Sequence, residues 1–197
     1  MNGMKLIITR HGETVENTKR IIQSHLPGHL SELGKEQAKK LAKRLREEKI
    51  DCIYSSDLSR AADTAREIAK FHPEAPLVLT KDLRERNLGK FQGLCANGVD
   101  WKKERRNWLM PKGGESNKDM YVRAKKFIFK IIKKHKRGTI LLVGHNGIDK
   151  ALIAVITGKN ADEISTIESL GNTSVNIFEI DDDGYEMLLI NDTTHLD

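Results

Sequence analysis

The sequence contains only two cysteines, Cys52 and Cys95, far apart and in no C-x-x-C arrangement. That excludes a disulfide framework and a zinc knuckle. It also lacks any run of about 18 apolar residues, so no segment is expected to span a bilayer. The first residues lead almost directly into Lys5-Leu6-Ile7-Ile8 without the apolar core of a secretory signal, and a cytoplasmic location is expected. No Walker-type phosphate loop is present: Gly28 to Gly34-Lys35 has the wrong spacing and no Ser or Thr follows. No H-E-x-x-H pair or carboxylate cluster suggests a metal, and none is expected. Internal repeats, linkers and RNA-binding aromatic motifs are missing as well.

What is present is charge. Lys and Arg total 34 against 28 Asp and Glu, a formal net charge of +6, and charged residues make up 31% of the chain. Such a balance favours encounters with anions, phosphorylated metabolites and nucleic acids among them. The length of 197 residues suits one domain spanning 1–197 with a single core.

Residues 4–9 and 50–55 read as short strands, and Thr139-Ile140-Leu141-Leu142-Val143 as a strand buried on both faces. Helical spacing links Leu33, Ala38, Leu41, Ala42 and Leu45 behind an N-cap at Ser31. A second helix fits Leu58, Ala61, Ala62, Ala65, Ile68 and Ala69. A third fits Met120, Ala124, Phe127, Ile128, Ile131 and His135 behind the capping-box pattern Ser116-x-x-Asp119. Val175–Ile180 and Tyr185–Ile190 flank Asp181-Asp182-Asp183-Gly184 and predict an antiparallel edge hairpin. The alternation predicts an α/β three-layer sandwich, its mostly parallel central sheet flanked by helices. Residues 93–115, with Trp101 and Trp108, are the least regular stretch and read as a small cap insertion over a site.

In such a sheet, ligands bind beyond the carboxyl ends of the strands. There the sequence offers Thr9-Arg10-His11-Gly12, Ser55-Ser56-Asp57-Leu58-Ser59-Arg60 and Gly144-His145-Asn146-Gly147. Two arginines and two histidines thus converge on one edge. Arg60 in a first helical turn and His145 just before a helix would add amide dipoles to cationic side chains, a setting suited to a tetrahedral phosphate. Arginine forks match phosphate oxygens, and a neutral imidazole can act as nucleophile.

These segments resemble the histidine phosphatase superfamily, the group that includes cofactor-dependent phosphoglycerate mutase. Arg10-His11-Gly12 with Asn17 resembles its signature, and Leu30-Ser31-x-Leu33-Gly34-x-x-Gln37-Ala38 the element that follows. Tyr54-Ser55-Ser56-x-Leu58-x-Arg60-Ala61 is similar to its second motif. Leu83-x-Glu85-x-x-x-Gly89 resembles the motif bearing its proton donor, and Pro111-x-Gly113-Gly114-Glu115-Ser116 a block of its smaller phosphatases. The resemblance implies His11 as nucleophile, Glu85 as acid then base, and Arg10, Arg60 and His145 as the phosphate pocket. It further implies substrate contacts from Asn17, Gln23, Ser24 and Asn146, with Ser24 standing where glycine is frequent. His25 and His29 read as solvated loop residues.

The expected activity is hydrolysis of small phosphorylated metabolites through a phosphohistidine, without a cofactor. The alternative is a phosphoglycerate mutase primed by 2,3-bisphosphoglycerate. Arg105-Arg106 resembles a mutase pair that binds the substrate carboxylate, although an exposed helix face has the same pattern. A third reading, a non-enzymatic binder of nucleic acid or another polyanion, would use Lys125, Lys126, Lys130, Lys133, Lys134, Lys136 and Arg137. Those residues alternate with core positions as on an ordinary exposed face, and no nucleic-acid partner is expected. Oligomeric state stays open, with a homodimer among the options.

Overall fold

The middle of the sheet is set by the apolar run Ile140-Leu141-Leu142-Val143. In the computed structural model, which describes residues 3–197, that run belongs to β4, Gly138–Gly144. It lies between β1 (Met4–Arg10) and β2 (Ile50–Ser56), parallel to both. Alternate side chains of β4 enter opposite cores: Ile140 and Leu142 one, Leu141 and Val143 the other. A strand buried on both faces therefore has no polar alternation.

Strand β3 (Leu77–Thr80) joins β2 in parallel, while β5 (Val175–Ile180) and β6 (Tyr185–Asp192) run antiparallel beyond β1. The order is β3-β2-β4-β1-β5-β6. Two helices cover one face, α2 (Glu32–Leu45) and α3 (Ser59–Ala69), through Leu41, Ala42, Leu45, Ala61, Ala65 and Ile68. The other face is covered by α5 (Asn117–Lys134) and α6 (Asn146–Ile156) through residues such as Phe127, Ile131, Leu152 and Ile153. Burying these stripes on both sides of one sheet yields the predicted three layers. The short α1 spans Val15–Thr18, and α4 spans Trp101–Leu109.

Caps fall where the side chains predict them. Ser31 accepts from the Gly34 amide, and Ser116 with Asp119 closes a full capping box. Three expectations are corrected. Leu33 is 57% exposed and lies off the core stripe of α2. Leu58 precedes α3 as its N-cap, although its side chain is buried. The stretch taken as irregular contains α4, which buries no residue and rests on the Phe91, Trp101 and Trp108 rings. Among the described residues, no helix is long and apolar enough to cross a membrane.

Candidate active site

Parallel pairing of β1 with β4 places Arg10 opposite Gly144, so the chain leaves both strands side by side. The His11 amide donates to the Gly144 carbonyl at 3.2 Å. The His11 and His145 rings consequently meet edge to face with centroids 5.0 Å apart.

The loop carrying His11 is clamped against the start of α2. Glu13 donates its amide to Gln37 Oε1 at 2.8 Å, and its carboxylate accepts from Ser31 Oγ at 2.7 Å. A side chain at Gly34 would collide with the Glu13 backbone, which accounts for Ser31, Gly34 and Gln37 in the motif. Thr64 Oγ1 accepts from the Gly12 amide and donates to the Arg60 carbonyl, tying the loop to α3.

His11 is buried, and its Nδ1 lies 2.7 Å from the Gly12 carbonyl. Since that oxygen can only accept, Nδ1 carries the proton and Nε2 keeps its lone pair. Burial, then the charges of Arg60 and Arg10, hold His11 well below the ordinary imidazole range. His145 is depressed in the same way by burial, Arg60, His11 and Arg10. Its Nε2 is 2.9 Å from Ser56 Oγ, and its Nδ1 is buried without a partner.

The two guanidinium groups are held from behind by carbonyls. Arg60, 1% exposed, donates to Leu26 O at 3.0 Å and to Ser24 O at 2.7 Å, whereas Arg10 donates to Leu170 O at 2.6 Å. Neutral acceptors orient the cations without cancelling them, and burial pushes Arg60 down to about 10. An anion between these groups would find positive charge in a poorly solvated setting, where it counts most.

Glu85 closes the other side. Its carboxyl accepts from the amides of Arg86 (2.8 Å), Gly147 (2.9 Å) and Ile148 (3.2 Å), the last two in the first turn of α6. Gly147 has no side chain because the Glu85 carboxyl lies over its Cα. Arg123 donates to the Asp82 and Arg84 carbonyls and pairs with Glu115, which accepts from the Asn87 amide. Glu115 in the Gly-Gly-Glu-Ser block thus serves to hold the segment that presents Glu85.

A cavity of about 360 Å³ is lined by Arg10, His11, Asn17, Gln23, Ser24, Arg60, Glu85 and Asn146. Every predicted site residue except His145 lines it, and His145 touches it through His11. Asn17 spends its carbonyl oxygen on the Thr14 amide, and Gln23 donates to Thr14 Oγ1 at 2.8 Å. Ser24 adopts a left-handed φ of 52°, which explains the frequent glycine there. Its hydroxyl is committed to the Arg86 carbonyl (2.7 Å) and the Leu88 amide (2.8 Å). Asn146 Oδ1 accepts from the Leu170 amide at 2.9 Å.

His25 is not a solvated loop residue. It is half-buried, with Nε2 2.7 Å from the Glu85 carbonyl, so it braces the Glu85 backbone. His29 is exposed as expected. Sequence reasoning missed Arg86, Asn117 and Lys150, which line the cavity beyond the histidines together with Trp108 of the expected cap. Arg86 is buried, donates to Asn117 Oδ1 and Trp108 O, and lies 5.0 Å over the Trp108 ring. Its adjacency to Glu85 was the available signal; for Lys150 it was the one-turn spacing from Asn146. Arg105 and Arg106 are exposed on α4 and outside the lining, and the α5 lysines face solvent. Among the described residues, no group of three or more His, Cys, Asp and Glu side chains converges in the way a metal site requires.

Residues 6–193 match the family model of the histidine phosphatase superfamily (branch 1). The chain is 35% identical over 204 residues to phosphoglycerate mutase-like protein 4 of Arabidopsis thaliana, covering 98% of this chain and 87% of that protein. It is also 35% identical over 204 residues to the metal-independent phosphoserine phosphatase of the same plant, covering 98% and 83%. Among solved structures, YhfR of Bacillus stearothermophilus has a TM-score of 0.89 at 28% identity, covering 98% of this chain and 100% of that one.

Proposed function

The chain belongs to the histidine phosphatase superfamily, branch 1, and on that premise we propose that it hydrolyses phosphomonoesters of small carboxylated metabolites through a phosphohistidine on His11. The observation that carries this reading is the setting of His11: a buried ring with Nδ1 against the Gly12 carbonyl, held well below the ordinary imidazole range by burial and by the charges of the buried Arg60 and the partly buried Arg10.

Nε2 attacks phosphorus in line, forming the P–N bond as the ester P–O bond breaks. Arg10, Arg60 and His145 take up charge on the equatorial oxygens. Asn17 adds its amide group, while Gln23, Ser24 and Asn146 fix the walls. Glu85 gives its proton to the departing alkoxide, then removes one from the water that attacks the phosphohistidine and frees His11. Arg86 and Lys150, beyond the phosphoryl pocket, suit a substrate carboxylate. Segment 93–115 serves as the cap, through Trp108. The relative named as a metal-independent phosphoserine phosphatase supports hydrolysis without a metal and a substrate of this kind.

The mutase reading rests on the relative named phosphoglycerate mutase-like, but the arginine pair it needs is exposed on α4. One experiment tests both readings. Phosphoserine, 3-phosphoglycerate and propyl phosphate are offered in EDTA, with and without 2,3-bisphosphoglycerate, and the protein is quenched in alkali to preserve phosphohistidine. The expected result is phosphate release from the carboxylated substrates and label on His11 that is absent from His11→Ala. Isomerisation of 3-phosphoglycerate only with the bisphosphate would establish the mutase, and turnover without labelled histidine would overturn the mechanism.

A further inference from the structure

The positive charge of the chain is not spread evenly along it. Of the 34 Lys and Arg, nine fall within residues 117–137 against the single acid Asp119, so the rest of the chain, which holds all the other Asp and Glu of a total of 28, carries slightly more acid than base. That segment is α5 with the turn after it. The phosphoryl site uses only the first turns of the helix: Asn117 and Met120 line the cavity, and Arg123 pairs with Glu115.

Exposed cations elsewhere are held differently. On α2, Lys35 pairs with Glu32 and Lys39 with Glu36; on α3, Arg66 pairs with Asp63 and Lys70 with Glu67. Those cations find their counter-charges on the same helix. On α5, Lys125, Lys126, Lys130 and Lys133 are exposed, and among the described residues none of them has a carboxylate within ion-pair distance. Lys126, Lys130 and Lys133 follow one another at i+4 and i+3 spacing, where like charges oppose the helix. An arrangement that costs stability, with no counter-charge in the chain, points to an anion outside it.

At about 100° per residue, Val122, Phe129 and Lys133 lie along one line on the outer face of α5. Lys118 and Lys125 flank that line on one side, Lys126 and Lys130 on the other. Phe129 is 58% exposed, and Lys125 Nζ stands 5.9 Å over its ring. The opposite side of the helix, with Ala124, Phe127, Ile128 and Ile131, is committed to the core. What remains for a partner is a convex row of ammonium groups about 27 Å long, with two apolar side chains among them.

We propose that the outer face of α5 docks the protein on an anionic lipid bilayer, its lysines against the headgroup charges and Val122 and Phe129 between the headgroups. Lysine suits such a surface, being a flexible point charge that follows mobile headgroups, where arginine presents a fork shaped for one phosphate. The exposed apolar side chains gain by leaving water at the interface. A nucleic acid would answer the same charges, but its binders offer a groove with stacking rings; here one ring stands on a convex face. The protein would lie on the bilayer, which requires no membrane-crossing helix.

Sedimentation with vesicles tests the proposal. Phosphatidylcholine vesicles are compared with vesicles in which about a third of the lipid is phosphatidylserine, in about 0.1 M salt. The protein should sediment only with the anionic vesicles, and raising the salt to about 0.5 M should release it. Each lysine near the surface strengthens binding about fivefold, so the triple change Lys126→Gln, Lys130→Gln and Lys133→Gln should weaken it about a hundredfold. The double change Lys35→Gln and Lys39→Gln, on the paired face of α2, should leave it as in the wild type. Phe129→Ser should weaken binding without altering its salt dependence. The wild type supplies a reading that needs no variant: anionic vesicles should protect the α5 lysines, and not Lys35 or Lys39, from acetylation. Equal sedimentation with both kinds of vesicle, or full binding by the triple variant, would overturn the proposal. So would salt-sensitive retention on RNA, lost in the triple variant, by a protein that sediments with neither vesicle; the partner of this face would then be nucleic acid.

Discussion

At the scale of single residues, the pocket works by denying side chains their usual partners. His11 is enclosed with two guanidinium groups, and burial followed by Arg60 and Arg10 lowers its proton affinity. Nitrogen-detected NMR should therefore find His11 neutral at pH values below the ordinary imidazole range of about 6.5, protonated on Nδ1 throughout. A titration near that value, or an Nε2 proton, would contradict the assigned nucleophile. Ser24 shows a different compromise. Its left-handed φ of 52° is strained for any residue but glycine, by about 1 kcal/mol. Its hydroxyl in return joins the Arg86 carbonyl and the Leu88 amide. Ser24→Ala keeps the strain and loses both bonds, whereas Ser24→Gly loses the bonds and relieves the strain. Chemical denaturation should rank glycine above alanine by about 1 kcal/mol; the reverse order would mean that the strain is absent.

At the scale of elements, what could be foreseen was what is local. Ser31 and the Ser116–Asp119 box are read from side-chain chemistry alone, and the β4 run announces a strand covered on both faces. His11, Arg10, Arg60 and His145 were legible because strand ends gather them. Glu85 was legible only through the family resemblance, since its place is fixed by amides of α6, 62 and 63 residues away. The α4 helix lacked a core-facing stripe, and Arg86 is held by groups that no periodicity relates to it. The role of Gly34 is tertiary too: it admits the Glu13 backbone into the space a Cβ would fill on α2. Gly34→Ala should raise helix propensity yet destabilise the protein by about 1–3 kcal/mol, because the obstacle is backbone that cannot rotate away. Turnover should fall with it, as Glu13 and the His11 loop are displaced. A neutral or stabilising effect in urea unfolding would show that the contact relaxes freely.

For the molecule as a whole, stability and function reside in different places, the first in the two cores on either face of the sheet and the second at one end of it. Arg60 tests that division, being a large side chain that is 1% exposed and contributes no apolar surface to either core. Burial depresses its pKa from the ordinary guanidinium range to about 10. A cation whose folded pKa is lowered opposes folding wherever the unfolded form is fully charged, here by about 3 kcal/mol at neutral pH. Its bonds to the Leu26 and Ser24 carbonyls return about 1.5–3 kcal/mol each when the donor is charged. The two bonds together return about 3–6 kcal/mol, so Arg60→Met should weaken the ligand-free protein by no more than about 3 kcal/mol, where truncating a buried apolar residue of similar size costs about 2–5 kcal/mol. The anion-bound protein should behave otherwise. Vanadate at a hundred times its Kd should stabilise the wild type by about 2.7 kcal/mol and the variant, at the same concentration, by far less. Thermal unfolding of both proteins with and without vanadate reads the two effects together. A variant that is already several kcal/mol weaker without the anion would mean that Arg60 holds the fold, and the separation of core from pocket would have to be abandoned.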